Sequence, residues 1–414
     1  FGGQIDGHVL AYSNGAGERA TLVLFNNSGH PAHGRLHESA PFLPAEGTAD
    51  EATVTVAIGE ALAVGDQGFW EYRDARSGRE FLVEGEDVAA DGLEIDLAPW
   101  ESLVLTGFRR CALDPQTAAQ IRTRIDSRGT ESLAAVQRDI ELEPLRTAFA
   151  RSLDEDLLRR LMQLPGGLSE LGEDDALLDE MRSAVDALAR AIGQEEAPPV
   201  SRLLALLTLP DLARLLAAST DEEHKQAGLG LQGALQRRPE VLPMLFCWVL
   251  LTTLHDRLAE SGSEYPMSEW HLESSVLSSL VSAGGEPETV GRLISVLEQA
   301  LCAGWGRQAT SAPEPLQYQR DLLTDEELRR TLGAHQFEGC EYISRDALES
   351  VIDWRLLLEA QAWSASSQTT SKVPDEVSDW WQTLHQMATD AETSSYRTDQ
   401  LGIVDTAIAH PVSE

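Results

Sequence analysis

Lysine is nearly missing from this chain. Only Lys225 and Lys372 occur among 32 basic residues in 414 positions, and the rest are arginine. Basic residues are themselves outnumbered by 68 Asp and Glu, which leaves a formal net charge of −36. That balance excludes a protein built mainly to hold nucleic acid, because phosphate contacts need clustered Lys and Arg. It also argues against docking on an anionic membrane. A salt-rich cytoplasm and a biased genome composition account equally well for the lysine shortage. High charge favours solubility and says little about fold.

Cysteine is scarce and scattered. Cys111, Cys247, Cys302 and Cys340 lie far apart, which excludes a CxxC zinc or redox motif and a small disulfide scaffold. Four free, buried thiols in a reducing compartment are expected, and hence a cytoplasmic location. Long apolar runs are missing too. The longest, VLPMLFCWVLL (241–251), is too short for the roughly 20 residues that a bilayer demands. It reads as a buried helix, so no membrane partner is expected. Phe1 is not an initiator Met, so the chain reads as a fragment or a processed piece, and any signal peptide would have gone with the missing part.

Motifs that announce chemistry are absent as well. There is no GxSxG elbow, no GxxxxGK[ST] loop and no HExxH. Ser, His and Asp occur at no spacing that singles out a triad. GLGLQG (228–233) spells a dinucleotide loop, but the polar DEEHKQA before it is no strand. A helix start with small residues at a packing contact fits better. His30, His33 and His37 have a metal-like spacing, but Gly29, Pro31 and Gly34 make a helix unfavourable there. Solvated loop histidines are expected, and no metal. Asp256 follows His255, yet sequence neighbours on a helix do not face each other. Glu338, Glu341, Asp346 and Glu349 gather near a loop–helix junction and read as a solvated acidic face. No catalytic residue and no cofactor is assigned.

What is present is a change of pattern near residue 112. Before it, HVLAYSN (8–14), ATLVLFNNS (20–28), ATVTVAI (52–58), GFWEYRD (68–74), REFLVEG (79–85), GLEIDL (92–97) and ESLVLTGF (101–108) read as short strands. Turn dipeptides such as Ser77-Gly78 and Asp91-Gly92 separate them. An antiparallel β-sandwich is predicted over 1–112. Asp114-Pro115 then opens a helix as N-cap and first helical residue. Leu177, Met181, Val185, Leu188 and Ile192 step along one helical face. Further helices are predicted over 203–216 (broken at Pro210), 229–238, 241–260, 268–282, 288–301, 325–331, 345–363 and 375–392. The chain therefore reads as a multidomain α and β protein, an N-terminal sandwich followed by a large all-α region. Its parts are a helical connector (113–200), an all-α domain (201–363), and a polar linker, short helix and disordered tail (364–414).

Aromatic residues offer the remaining candidates, since a flat indole or phenol stacks on a sugar ring. Trp70 and Tyr72 share one strand face, which is the inner face of the sandwich or a stacking platform. Trp100 sits in a turn. Trp380-Trp381 is a pair that suits a partner helix or a missing part of the protein.

HVLAYSNGAGERATLVLFNNS (8–28), FWEYRDARSGREFLVEG (69–85) and DGLEIDLAPWESLVLTGF (91–108) together resemble the C-terminal β-domain of α-amylase-family enzymes, glycoside hydrolase family 13. In that family the small sandwich follows a catalytic (β/α)₈ barrel. LLTDEELRRTLGAHQFEGCEYISRDALESVIDW (322–354) looks like part of the helical extension of some bacterial members. The resemblance implies a tail without the barrel, because the family's D-x-x-x-N-H, G-x-R-x-D and N-H-D patterns do not occur here. It implies a non-catalytic region that stabilises or scaffolds the missing barrel of the same polypeptide. The alternatives are a carbohydrate-binding module for α-glucan, built on Trp70, Tyr72 or Trp100, and a helical interaction scaffold unrelated to sugars.

Overall fold

The computed structural model describes residues 6–15, 19–43, 53–125, 129–164, 171, 175–193, 198–260, 266–305, 311–366 and 375–401. Two compact units divide the chain, Phe1–Glu143 and Pro144–Glu414. As the sequence predicts, antiparallel sheets come first and a large helical region follows.

The first unit holds β1 (Val9–Asn14), β2 (Thr21–Asn26), β3 (Ala32–Leu36), α1 (Ile58–Leu62), β4 (Phe69–Asp74), β5 (Glu80–Glu84), α2 (Gly85–Asp91), β6 (Leu93–Leu97) and β7 (Ser102–Cys111). A five-stranded sheet runs β1-β2-β7-β4-β5, and β3 pairs with β6 in a separate sheet. Both are antiparallel. Period-two alternation puts Leu22 and Leu24 of β2 on one face and Leu93, Ile95 and Leu97 of β6 on another, and all share one core. Gly107, at φ +71°, opens a bulge where β7 gains a residue on β4. That extra residue drops Phe108 into the core beside Tyr72.

Two local readings differ from expectation. Residues 53–57 form no strand. Glu38 bridges Ala57 and Phe42 bridges Val54, four residues on one side against three on the other, so no ladder propagates. Conversely, the loop that carries the histidines contains β3, in register with β6 from Ala32↔Leu97 to Leu36↔Leu93. Its polar exposed face hid the strand signal.

Helix α3 (Pro115–Arg124) begins as predicted, with the Asp114 carboxylate accepting from the N–H groups of Gln116 and Thr117 at 3.0 Å each. The helix α4 (Leu133–Ser152) follows and runs across the division between the units. Ala118 and Ile121 of α3, with Leu133, Val136 and Ile140 of α4, pack on Phe69 and Leu82 of the large sheet. The first unit thus extends past residue 112, because these helices close the sheet's outer face at its β4–β5 side.

The second unit contains α5 (Glu155–Gln163), α6 (Asp175–Ala191), α7 (Pro198–Ala217), α8 (Glu222–Gln236), α9 (Val241–Glu260), α10 (Pro266–Glu269), α11 (Glu273–Ser282), α12 (Pro287–Cys302), α13 (Pro315–Thr324), α14 (Glu326–Thr331), the hairpin β8 (His335–Phe337) and β9 (Cys340–Tyr342), α15 (Arg345–Ser366) and α16 (Asp375–Thr393). The apolar run 241–251 is the first half of α9, buried on all sides by α5, α6, α7, α8 and α12. The predicted stripe of α6 is buried at Leu177, Met181, Val185, Leu188 and Ile192. Helix α7 does not break at Pro210. Leu203, Leu206, Leu209, Leu212, Ala213 and Leu216 are all buried, and their packing outweighs the ~3 kcal/mol that an internal proline costs. The span predicted as one helix over 268–282 splits at His271, whose φ of +54° ends α10 before α11 begins. Residues 367–374 of the predicted linker and 402–414 of the predicted tail lie outside the described residues.

Candidate functional site

Leu10 and Tyr12 of β1 stand opposite Phe25 and Val23 of β2, and Val23 stands opposite Val104 of β7. Directly opposed residues of an antiparallel pair share a face. Leu22 and Leu24 occupy the inner face, so these five residues form a stripe on the outer one. Leu10 is 56% exposed and Tyr12 63%. The same outer face is covered by α3 and α4 at its β4–β5 side. Between the halves lies a polar seam, where Arg109 is ion-paired with Glu71. Among the described residues the large sheet is therefore clad by helices on one half and left without them on the other, where Val23, Phe25 and Val104 are half-buried.

The second feature is the end of the sandwich where two of the quoted motifs meet. Asn26 is fully buried, and its Nδ2 donates to the carbonyls of His30 (2.7 Å) and Ala98 (3.0 Å). The Asn26 N–H donates to Glu101 O (2.9 Å), and the Trp100 N–H to Ser28 O (3.1 Å). The Glu101 carboxylate accepts from the Ala98 N–H at 2.6 Å. These bonds hold Trp100 at φ +61° with its side chain 61% exposed. A bulky residue in the left-handed region is strained, and only the surrounding bonds maintain it.

Trp70 and Tyr72 face the inner core, as one of the two expectations had it. Tyr72 is stacked between Phe81 (5.1 Å) and Phe108 (5.0 Å), so neither ring face is open to a sugar. Burial, with a smaller push from the Glu94 charge, raises its hydroxyl pKa. Trp70 is half-buried against the same core and donates from Nε1 to Gln67 O at 3.3 Å. Of the three aromatic candidates, Trp100 alone presents an exposed indole. Across the sheet, buried Asp74 accepts N–H bonds from Arg76 (3.3 Å), Ser77 (2.9 Å) and Val104 (3.0 Å). Burial pushes its carboxyl up, but the Ser77 hydroxyl and these N–H groups outweigh it and hold the pKa below the usual range.

The remaining candidates fall into structural roles. His33 lies on β3 and approaches Glu94 at 3.7 Å. Among the described residues no group of His, Cys, Asp and Glu is placed to hold a metal. The acidic cluster is spread out. Glu338 forms the β8–β9 turn, Glu341 pairs with Arg329, and Glu349 meets Arg345 (2.9 Å) and Arg237 (3.3 Å). The 255–257 side chains lie outside the described residues. Of the four cysteines only Cys247 is buried; Cys302 is exposed and the others are intermediate. Burial pushes the Cys247 thiol up to about 12.

GLGLQG lies inside α8, not at a helix start, and the glycines serve packing. A Cβ on Gly228 would lie 2.2 Å from the Ala217 backbone N, and one on Gly230 would lie 2.2 Å from Trp381 Cζ3. Trp380-Trp381 is thus committed within its own unit. Trp380 is buried, edge-on to Tyr318 at 5.5 Å. Sequence reasoning missed what it covers. The Arg355 guanidinium sits 4.1 Å from the Trp380 ring centroid, 4.7 Å from Trp305 and 5.9 Å from Tyr318. It pairs with Glu359 at 3.0 Å, and its buried Nε and Nη1 have no hydrogen-bond partner among the described residues. Burial lowers the Arg355 pKa, opposed by Tyr318 and Glu359. The signal was available, an Arg and a Glu at i and i+4 in the apolar stretch WRLLLEAQAW. In the same unit an apolar cavity lies among Leu322, Leu332, Ile343, Leu348 and Met387, with room on the order of one water.

No family model, no curated protein and no solved structure matches this chain. Among the described residues no helix is long and apolar enough to cross a membrane.

Proposed function

We propose that this chain is a non-catalytic region of an α-amylase-family enzyme, whose sandwich packs against and stabilises a catalytic barrel elsewhere in the same polypeptide. One observation carries the reading: among the described residues the outer face of the five-stranded sheet is clad by α3 and α4 on one half, whereas on the other Leu10 and Tyr12 are exposed beside half-buried Val23, Phe25 and Val104. Contiguous exposed apolar surface of that kind marks an interaction face. Covering it stabilises by about 25 cal/mol per Å² of apolar surface removed from water. The order of the three sandwich motifs supports an α-amylase-type parent. The Asn26 bonds that tie the NN segment to the A-P-W turn give that order a physical basis.

The test is the reading frame on the 5′ side of the Phe1 codon. Barrel motifs with two catalytic Asp and a Glu are expected there. A start codon with no barrel would leave a helical interaction scaffold as the better reading. The purified chain alone is expected to leave soluble starch uncut.

A second reading, weak α-glucan binding, rests on Trp100 alone, an exposed indole held in a strained conformation. Stacking on a CH face needs no charge, so binding to soluble glycogen should be insensitive to salt. Trp100→Gly should abolish it while raising stability by up to about 1 kcal/mol, since glycine relieves the left-handed strain. Glycogen binding unchanged in Trp100→Gly removes this reading.

A further inference from the structure

The two edges of the large sheet are treated differently. At the β5 edge the chain closes over the strand. The Glu80 N–H donates to Thr130 O (2.7 Å) and the Thr130 N–H to Glu80 O (2.9 Å), while Arg79 Nη2 reaches Gly129 O at 2.8 Å. Glu80 and Glu84 add charge to that strand. At the other edge, β1 pairs with β2 alone among the described residues, and every residue from Leu10 to Asn14 is exposed. Its sequence, VLAYSN, carries no charge and no proline. Folded proteins blunt sheet edges with charge, proline, bulges or a covering segment, because unpaired N–H and C=O groups recruit another strand. The β5 edge has the cover and the charge; among the described residues β1 has neither.

Charge and side-chain pattern identify the occupant. Two copies of a chain with net charge −36 repel over most of their surfaces. An uncharged strand is the place where they approach at least cost. The strand also fits itself. Antiparallel pairing about a two-fold axis at Ala11 sets Leu10 of one copy opposite Tyr12 of the other, and Tyr12 opposite Leu10. A two-fold interface requires this reciprocity. Each such aliphatic–aromatic pair lies on the outer face, where cross-strand contacts stabilise a sheet. Val9 falls opposite Ser13, and Ala11 opposite itself. We propose that β1 is an assembly edge at which two copies pair strand to strand about Ala11 and fuse their five-stranded sheets into one. This inference turns on the sheet's edge, shares only Leu10 and Tyr12 with its outer face, and does not rest on the identity of any barrel.

The test is sedimentation of the full chain over about 1–200 μM, the range of a small and therefore weak interface. The mass should rise from 45.2 kDa toward twice that value with concentration. Added salt should favour the dimer by screening like charge, since the Debye length falls from about 10 Å at 0.1 M to about 3 Å at 1 M. Ala11→Glu sets two carboxylates face to face on the axis and should leave only monomer, as should Ala11→Lys. An equimolar mixture of the two should recover a heterodimer. Circular dichroism establishes that each variant is folded, and Tyr12→Asp replaces either one that is not. A wild-type chain that stays monomeric at the top concentration overturns the proposal. So does a dimer that folded Ala11→Glu or Tyr12→Asp leaves intact, or a folded mixture of opposite charges that fails to pair.

Discussion

Arg355 and Asp353 lie two positions apart on α15 and illustrate opposite ways of burying charge. Arg355 is held by Glu359 and by the rings of Trp305, Tyr318 and Trp380. Removing one partner of such a pair strands the other in a low dielectric, whereas replacing both with apolar residues can cost little. Arg355→Met alone should therefore destabilise the helical unit by about 3–5 kcal/mol, and Arg355→Met with Glu359→Leu by clearly less. Urea denaturation of the three proteins checks this, and a double variant as unstable as the sum of the singles contradicts it. Asp353 is half-buried, and burial pushes its carboxyl from 3.8 up to about 6. Arg237, at 3.2 Å, opposes that shift without reversing it, and Glu349 adds to it. The folded state therefore holds the proton more tightly than the unfolded one. The resulting stability is present below the unfolded pKa and is lost as pH rises through about 6. Relative to Asp353→Asn, the wild type should lose on the order of 2 kcal/mol between about pH 4 and pH 7.5. Paired melts across that window check it, and a constant gap contradicts it.

At the scale of elements, much of the architecture was legible because periodicity and punctuation agreed. The strand runs at 8–14, 20–28, 68–74 and 92–97 alternate between flanking turns, and each contains a strand. The limits of α9 were readable because an apolar run has only one stable environment. Failures came where tertiary partners overrode local signals. β3 is polar on its exposed face and is specified by its register with β6. Residues 52–58 alternate but lack a matching partner ladder. Pro210 is tolerated because one face of α7, from Leu203 to Leu216, is buried. The glycines of α8 were visible as small residues, but Trp381, the partner of Gly230, lies 151 positions away, which no local pattern encodes. Their roles differ in a testable way. Gly230→Ala puts a Cβ 2.2 Å from Trp381 Cζ3 and should cost about 1–3 kcal/mol by overpacking. A Cβ at Gly233 meets only Arg237 Nη2, at 3.9 Å, so Gly233→Ala should be neutral or stabilise by up to about 1 kcal/mol. Thermal melts of the two variants separate these outcomes, and equal effects would contradict the packing role of Gly230.

For the whole molecule, the sequence showed the order of its parts better than their limits. The shift from strands to helices at residue 112 is real, but α3 and the first part of α4 belong with the sandwich because they clad half of its outer face. The bare half was less legible. Leu10, Tyr12, Val23 and Phe25 look like ordinary strand residues, and only the strand order shows that they lie away from the β4–β5 side on which α3 and α4 pack. The central claim is that this half-face is built to be covered by a partner domain of the same polypeptide. Hydroxyl-radical footprinting at Phe25 tests it most directly, because Phe25 lies on β2, one strand in from the edge where copies would pair. The chain alone and the complete product of its reading frame are labelled side by side under conditions that keep both monomeric. A docking face predicts that Phe25 is oxidised several-fold more slowly in the complete product. Equal oxidation in the two would contradict it.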